Sequence, residues 1–354
     1  MEALKRRKVL GDILASNRLD ALIVSTLVNV RYYTGFTGSN GLLLVTAKGA
    51  RLFTDPRYTV QATEQVDCPV TIAKGPLLAA LAAKVGTLKS LRIGFEDTRA
   101  SYAFAKALAK LGKLSPLGNA VDKPRWVKSP SEIEAIRASV LLNSKALEQA
   151  MKRFKIGMTE KDLAAEIDYR QRKLGAEGPA FDTIVASGAH SALPHASPRN
   201  VPIERGGFLL IDMGASVNGY ASDMTRTFGV GEIAPDLVRM YGAVLEAQEA
   251  AIAAVRPGQK AAAIHATAMR ELKRHKLDKL FIHSTGHGLG LEIHEAPRLG
   301  KDGDTLLEAG MTITIEPGVY KAGMGGVRIE DTVLVTESGF EVLTPTPKGW
   351  TIIA

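Results

Sequence analysis

The sequence predicts an α+β protein of two domains, the first of them a smaller α/β unit. Three observations carry that reading. Residues 1 to about 122 alternate helical stretches with short apolar runs. The segment Asp122-Lys-Pro-Arg-Trp-Val-Lys-Ser-Pro130 then breaks the pattern with two prolines and ends on a helix-start signal, Ser129-Pro130-Ser131. From 131 onward, pairs of long helices alternate with strand-rich stretches. The expected division is a domain over 1–122, a linker over 123–130 and a domain over 131–354.

In the first domain a helix over about 3–17 leads into the apolar strand Ala21-Leu22-Ile23-Val24. Further strands are expected at 41–46, 50–54 and 91–95, with helices at 57–65, 76–86 and 100–112. Such alternation implies helices layered on a mostly parallel or mixed sheet. In the second domain, amphipathic helices over about 131–154 and 159–175 flank the turn Lys155-Ile-Gly-Met158. Strands and hairpins follow to 229. A second helix pair, about 235–255 and 260–275, is split by a Pro-Gly turn at 256–258, and another strand-rich stretch ends the chain. The repeated order hints at a structural duplication, although the halves share no sequence identity.

Composition bounds the class. A chain of 354 residues, 45% hydrophobic and 23% charged, is an ordinary globular protein that can bury a large core without disulfides. The single cysteine, Cys68, cannot pair internally, which fits a reducing cytoplasm. The N-terminus, MEALKRRKVLGDILASNRLD, is charged throughout and lacks the apolar core of a signal peptide. Nothing approaches the roughly 18 consecutive apolar residues of a membrane span, so a cytoplasmic location and no membrane partner are expected. The net charge is +8, but the longest basic run, Lys5-Arg6-Arg7-Lys8, begins an amphipathic helix and the rest is scattered. Without a clustered basic patch interleaved with aromatics, no nucleic-acid partner is expected.

Five residues of metal-ligand type, Asp212, Asp223, His287, Glu316 and Glu330, lie in patterned segments of the second domain. Their four carboxylates balance the charge of two dications. The oxygen-rich set favours a hard ion such as Mn²⁺, and the one nitrogen also allows Co²⁺ or Zn²⁺. Two such ions imply hydrolysis by an activated water.

The first segment runs from Gly207 to Phe228. Its Asn218-Gly219 pair, between two strand-like runs, signals a hairpin. A two-residue turn there sets Asp212 opposite Thr225 and makes Asp223 a diagonal neighbour of Asp212, roughly 7–8 Å away on one face. Strand-end aspartates that only cap turns are the alternative. Asp212, however, closes the apolar run Phe208–Ile211, and a buried carboxylate needs a partner or a metal.

The segment from His283 to Glu295 holds His283, His287 and His294 among glycines that allow close backbone approach. His195 sits between Pro194 and Pro198 in a loop where a surface histidine fits equally well. Glu316 follows the alternating run Met311–Ile315, and Glu330 alternates with Val327 and Ile329. Both glutamates are thus on the polar face of half-apolar strands, where a solvated row is the alternative.

Together these segments resemble the pita-bread metallopeptidases: aminopeptidase P, prolidase and, more distantly, methionine aminopeptidase. The likeness covers about 130–354, with all five ligand positions in order. It implies that Asp212 chelates one ion, that Asp223 and Glu330 bridge both, and that His287 and Glu316 complete the other. His283 and His294, four before and seven after His287, match the proline-specific branch. His195 matches the substrate-facing histidine of its Pro-His loop, and Tyr320 and Arg328 match active-site positions. The runs Asn29–Gly41 and Thr54–Tyr58 look like the creatinase/prolidase N-terminal domain. Methionine aminopeptidases lack that domain, and creatinase lacks the ligands.

The resemblance implies an Xaa-Pro aminopeptidase acting on peptides with proline second. Prolidase, confined to dipeptides, is the alternative, and the N-terminal runs favour the aminopeptidase P side. A non-enzymatic pita-bread binding module is the reading from another class, and the complete ligand set argues against it. Glu316 is expected to serve as general base and then acid, with His294 and His195 stabilising the oxyanion and holding the substrate carbonyl. His283 and Arg328 hold the proline side or orient the ligands, with Tyr320 alongside. Relatives with this N-terminal domain imply a homodimer.

Overall fold

The computed structural model describes residues 2–85 and 91–353, and the chain divides into two compact units, Met1–Arg125 and Trp126–Ala354. No helix among the described residues is long and apolar enough to cross a membrane.

The first unit runs α1 (Glu2–Ser16), β1 (Ala21–Val24), α2 (Leu27–Thr34), β2 (Leu42–Thr46), β3 (Gly49–Thr54), α3 (Thr59–Gln65), β4 (Val70–Ile72), α4 (Leu77–Val85), β5 (Arg92–Phe95), α5 (Tyr102–Leu108) and β6 (Lys113–Pro116). Its six strands form one mixed sheet in the order β4-β3-β2-β1-β5-β6. The last residue of the helix expected over 76–86 lies outside the described residues. Two strands and a helix were not read from the sequence. β4 and β6 are short sheet edges without full burial, so neither shows an apolar run. α2 reads Leu-Val-Asn-Val-Arg-Tyr-Tyr-Thr, a β-branched and aromatic composition that suits a strand. Tertiary bonds override it. Buried Asn29 donates to Glu96 at 2.6 Å and Asp122 at 3.0 Å, and the Tyr33 hydroxyl donates to the Val121 carbonyl at 2.7 Å.

The second unit begins with α6 (Pro130–Met151) and α7 (Glu160–Lys173). Both start on capping boxes, Ser129 with Glu132 and Thr159 with Asp162, which satisfy otherwise orphaned N–H groups. Next come β7 (Gly178–Pro179), β8 (Ile184–Ser187), β9 (Phe208–Met213), β10 (Ala215–Val217), β11 (Tyr220–Ala221) and β12 (Met224–Val230). The helix pair α8 (Pro235–Ala253) and α9 (Ala261–Arg274) follows. The chain ends with β13 (His287–Gly288), β14 (Glu295–Arg298), β15 (Thr312–Ile315), β16 (Gly318–Lys321), β17 (Gly325–Arg328), β18 (Asp331–Val335), β19 (Phe340–Val342) and β20 (Ile352–Ile353).

Two sheets of this unit carry the site, β20-β12-β9-β8 and β14-β13-β15-β18-β19. Each packs an apolar face on its own helices. Leu209, Ile211 and Met213 of β9 pack with Leu163 and Ile167 of α7. Ile313, Ile315, Val333 and Val335 pack with Val244 of α8 and Ile264 of α9. Strand alternation then turns Asp212 away from the first core.

Candidate active site

Two long hairpins build the site, and each is interrupted at one place. The first turns at Asn218-Gly219, both with positive φ (51° and 78°), as a tight hairpin turn needs. Its register pairs Val217 with Tyr220 next to the turn and Asp212 with Thr225 further down. Between them, around Gly214 and Asp223, the ladder breaks and the outer part leaves to pair with β7. A side chain on Gly214 would collide with the Ser222 carbonyl, so glycine is required where the strands part. The second hairpin pairs Val319 with Val327 in its outer part and Ile315 with Asp331 in its inner part, in one continuous register. Its break falls at Glu316-Pro317 and Ile329-Glu330. Asp223, Glu316 and Glu330 therefore all stand where a ladder is interrupted and a side chain is free to turn inward.

Hydrogen bonds fasten the two breaks to each other. The Glu330 N–H donates to the Thr225 carbonyl at 3.1 Å, and the Thr225 hydroxyl donates to the Glu330 carboxylate at 2.8 Å. The Thr332 hydroxyl donates to the Asp223 carbonyl at 2.9 Å. Buried Arg328 reaches across to Asp212 at 2.6 Å. His287 enters from β13, and Gly286 before it leaves no room for a Cβ against the Thr314 backbone. The His287 Nδ1–H donates to the Gly288 carbonyl at 3.0 Å, which leaves the Nε2 lone pair facing Glu316 at 3.4 Å and Asp223 at 3.6 Å. Asp223, His287 and Glu330 each offer a ligand atom within 4.8 Å of the others.

The electrostatics fit cations. Burial pushes the Asp223 carboxyl well above its ordinary range, and repulsion from Asp212 and Glu316 adds to it. Glu330 is raised in the same way, by burial and then by Asp223 and its neighbours. Burial also pushes Glu316 up to about 7, with Arg328 opposing and Asp212 reinforcing. Burial lowers His287 to about 4, so its ring is neutral and able to coordinate. Arg328 supplies one positive charge against four carboxylates. Asp212 Oδ1 is buried with no hydrogen-bond partner among the described residues. An orphaned carboxylate oxygen beside three more carboxylates and a lone-pair nitrogen suits divalent cations.

The five residues line a cavity of about 830 Å³ together with His195, His283, His294 and Arg328. His195 and His294 are exposed within it, and the His294 ring lies 4.4 Å from that of His287. His283 is half-buried and lowered to about 4 by burial and then by Arg328. Its Nδ1–H donates to the Ser284 carbonyl at 2.8 Å, so Nε2 accepts from the Tyr320 hydroxyl at 2.9 Å. Arg328 in turn donates to that hydroxyl at 2.6 Å. Tyr320, which the resemblance places among the substrate-binding positions, is buried behind the cavity wall and holds His283 and Arg328. Sequence reasoning missed Arg298, which lines the cavity, is exposed, and has no acidic partner among the described residues. It also missed the apolar side chains Phe181, Ile184 and Ile293 in the same wall. A lone arginine after a proline in a short strand gives no signal in the sequence.

Comparison with known proteins shows what the whole chain is similar to. The model of "Metallopeptidase family M24" matches residues 134–337, and that of the "Creatinase/Prolidase N-terminal domain" matches residues 6–127. The chain is 37% identical to the Xaa-Pro dipeptidase of Pyrococcus furiosus, over 97% of this chain and 99% of that protein. Its structure superimposes on an Xaa-Pro dipeptidase from Bacillus anthracis with a TM-score of 0.94, at 36% identity, covering 99% of this chain and 100% of the other. It also superimposes on an X-Pro aminopeptidase from Thermotoga maritima with a TM-score of 0.86, at 34% identity, covering 95% and 98%.

Proposed function

The chain belongs to metallopeptidase family M24, with a creatinase/prolidase N-terminal domain ahead of the peptidase domain, and from that premise we propose that it hydrolyses Xaa-Pro peptide bonds as a dipeptidase. The observation that carries this is the meeting of two interrupted hairpins at a buried group of four carboxylates and one imidazole. In this reading Asp212, Asp223, His287, Glu316 and Glu330 hold two divalent cations, with Mn²⁺ favoured by the oxygen-rich set and Co²⁺ or Zn²⁺ as alternatives. When bound, the cations lower the pKa of a water and polarise the scissile carbonyl. Glu316 takes a proton from the attacking water and passes it to the leaving prolyl nitrogen. The exposed rings of His195 and His294 stabilise the oxyanion and hold the substrate carbonyl. Arg328, tied to Asp212 and Tyr320, keeps the ligand side chains in place. Phe181, Ile184 and Ile293 offer apolar surface for the pyrrolidine ring.

Two points move the reading from aminopeptidase P to dipeptidase. The similar dipeptidases match this chain along nearly its whole length, so the N-terminal runs that favoured aminopeptidase P do not separate the two activities. Arg298 adds a free cation to the cavity wall, which suits the carboxylate that a dipeptide presents on its proline. A homodimer and a cytoplasmic location complete the proposal. The test compares an Xaa-Pro dipeptide with an Xaa-Pro-Xaa tripeptide, with Mn²⁺ supplied. A dipeptidase has the larger kcat/KM on the dipeptide. A preference for the tripeptide returns the reading to aminopeptidase P, and no hydrolysis of either rejects both.

A further inference from the structure

A buried carboxylate outside the metal-ligand group gathers several donors and is not used by the chemistry above. Glu160, the first residue of α7, is fully buried. Its carboxylate gathers donors from the end of β8 and from the segment that leads on to β9. Oε1 accepts from the Ser187 N–H and hydroxyl, both at 2.8 Å, and from Arg199 Nη2 at 2.9 Å. Oε2 accepts from the Arg199 N–H at 2.9 Å and from its Nε at 3.0 Å. His190 Nδ1 lies 3.1 Å from Oε2 and 3.2 Å from Oε1. One carboxylate thus clamps both ends of the loop 187–199, and His190 ties in its middle. Arg199 binds in the two-pronged geometry that fixes direction as well as distance.

What that loop carries is His195. It also touches the second hairpin at two places. The Gly326 N–H donates to the Ser191 hydroxyl at 2.8 Å, and Arg328 Nη1 donates to the Pro194 carbonyl at 3.2 Å. Ser191 is itself held, donating to the Gly188 carbonyl at 2.6 Å. The loop is therefore fixed at its base by Glu160 and at its tip by β17. Its one exposed imidazole, at 195, enters the cavity between these anchors.

We propose that Glu160 is a positioning residue for the reaction, setting the placement of His195 through the Ser187–Arg199 loop. The proposal rests on the reading above only in that His195 faces substrate. A Gln in place of Glu160 keeps the size of the side chain but removes the charge, and one of its positions becomes a donor facing Ser187 and Arg199. The loop then loses its clamp without a cavity being made.

The experiment is a double-mutant cycle on kcat/KM with an Xaa-Pro dipeptide, using Glu160→Gln, His195→Ala and both together, with metal content measured for each. Glu160→Gln alone is expected to cost about 10–10²-fold, as a displaced positioning group does. In the His195→Ala background it is expected to cost less than about twofold, because its effect passes through His195. Metal content stays at the wild-type level. Hydrogen exchange on the purified chain is expected to rise over residues 187–199 and to stay unchanged in β15 and β18. Should Glu160→Gln fold poorly, Arg199→Gln removes the clamp from its exposed side and is expected to give the same pattern. Equal losses in the two backgrounds overturn the proposal and make Glu160 a fold-stabilising group alone. If His195→Ala itself leaves kcat/KM unchanged, the substrate-facing role of His195 fails and the role of Glu160 falls with it.

Discussion

Arg298 provides the sharpest test of substrate class. A dipeptide ending in proline carries a free carboxylate, and a longer peptide has an amide at that place. A guanidinium and a carboxylate about 4 Å apart attract by about 1 kcal/mol with full water screening, and by about 4 kcal/mol at an effective dielectric constant of 20. Arg298 is exposed, so the weaker half of that range applies. The expected loss for Arg298→Gln is then about 1–2 kcal/mol, or roughly 5–30-fold in kcat/KM for an Xaa-Pro dipeptide. The same variant should lose less than about twofold on an Xaa-Pro amide, which has no charge to recognise. The dipeptide preference of the wild type should also shrink at high salt, because exposed charges are screened. Steady-state kinetics on the acid and the amide, at low and high salt, measure all of this. A loss of equal size on both substrates would overturn carboxylate recognition by Arg298, since the arginine would then be acting on cavity shape and not on charge.

Other outcomes follow from the same geometry. Chelation should abolish activity, with Mn²⁺ or Co²⁺ restoring it, and Asp223→Ala or Glu330→Ala should be worse than Asp212→Ala if, as the resemblance implies, Asp223 and Glu330 each serve both ions. Metal analysis should find fewer than two ions in His287→Ala but two in His294→Ala and His195→Ala, with His294→Ala costing about 10²–10³ in turnover; loss of metal from His294→Ala and not from His287→Ala would reverse the assignment. For Glu160, burial alone would raise the carboxyl, but bonds from Arg199 and Ser187 outweigh it and hold it down to about 2, below an ordinary 4.5. The group thus binds its proton more weakly folded than unfolded. Its stabilisation is complete above about pH 4.5 and is lost as pH falls towards 2, a change of about 3 kcal/mol. Denaturation curves of wild type and Glu160→Gln should converge over that interval, and parallel curves would contradict the linkage.

Much of this fold was legible because its elements announce themselves locally. The helices at 130–151, 160–173, 235–253 and 261–274 carry apolar periodicity, and the first two carry capping boxes as well. The Asn218-Gly219 turn set a register that holds as far as Phe208. What was not legible depends on partners distant in sequence. α2 is a helix because Asn29 and Tyr33 bond to residues some 67 to 93 positions away. Tyr320 matches an active-site position four after Glu316, but its burial behind His283 and Arg328 depends on contacts beyond its own strand. Arg298 reaches the cavity through the pairing of β14 with β13, a contact whose register shifts at His287 and Gly288.

Glu330 and Asp331 are neighbouring acids that the fold treats in opposite ways. They lie at the break of the second hairpin, Glu330 just before β18 and Asp331 its first residue, and their side chains meet different partners. Asp331 meets Arg226 at 2.7 Å, Lys348 at 2.8 Å and the Gln248 amide at 2.9 Å. Burial alone would raise its carboxyl, but the two cations outweigh that and hold it below its usual range. Arg226 also donates to the Glu330 carbonyl at 2.6 Å, so the paired acid helps to fix the backbone of its neighbour. Glu330 faces the other way, among three further carboxylates, and among the described residues its side-chain donor is Thr225. One acid is neutralised by the chain itself and serves the fold. The other is left with a charge that the chain does not balance, and a divalent cation is the partner that would balance it.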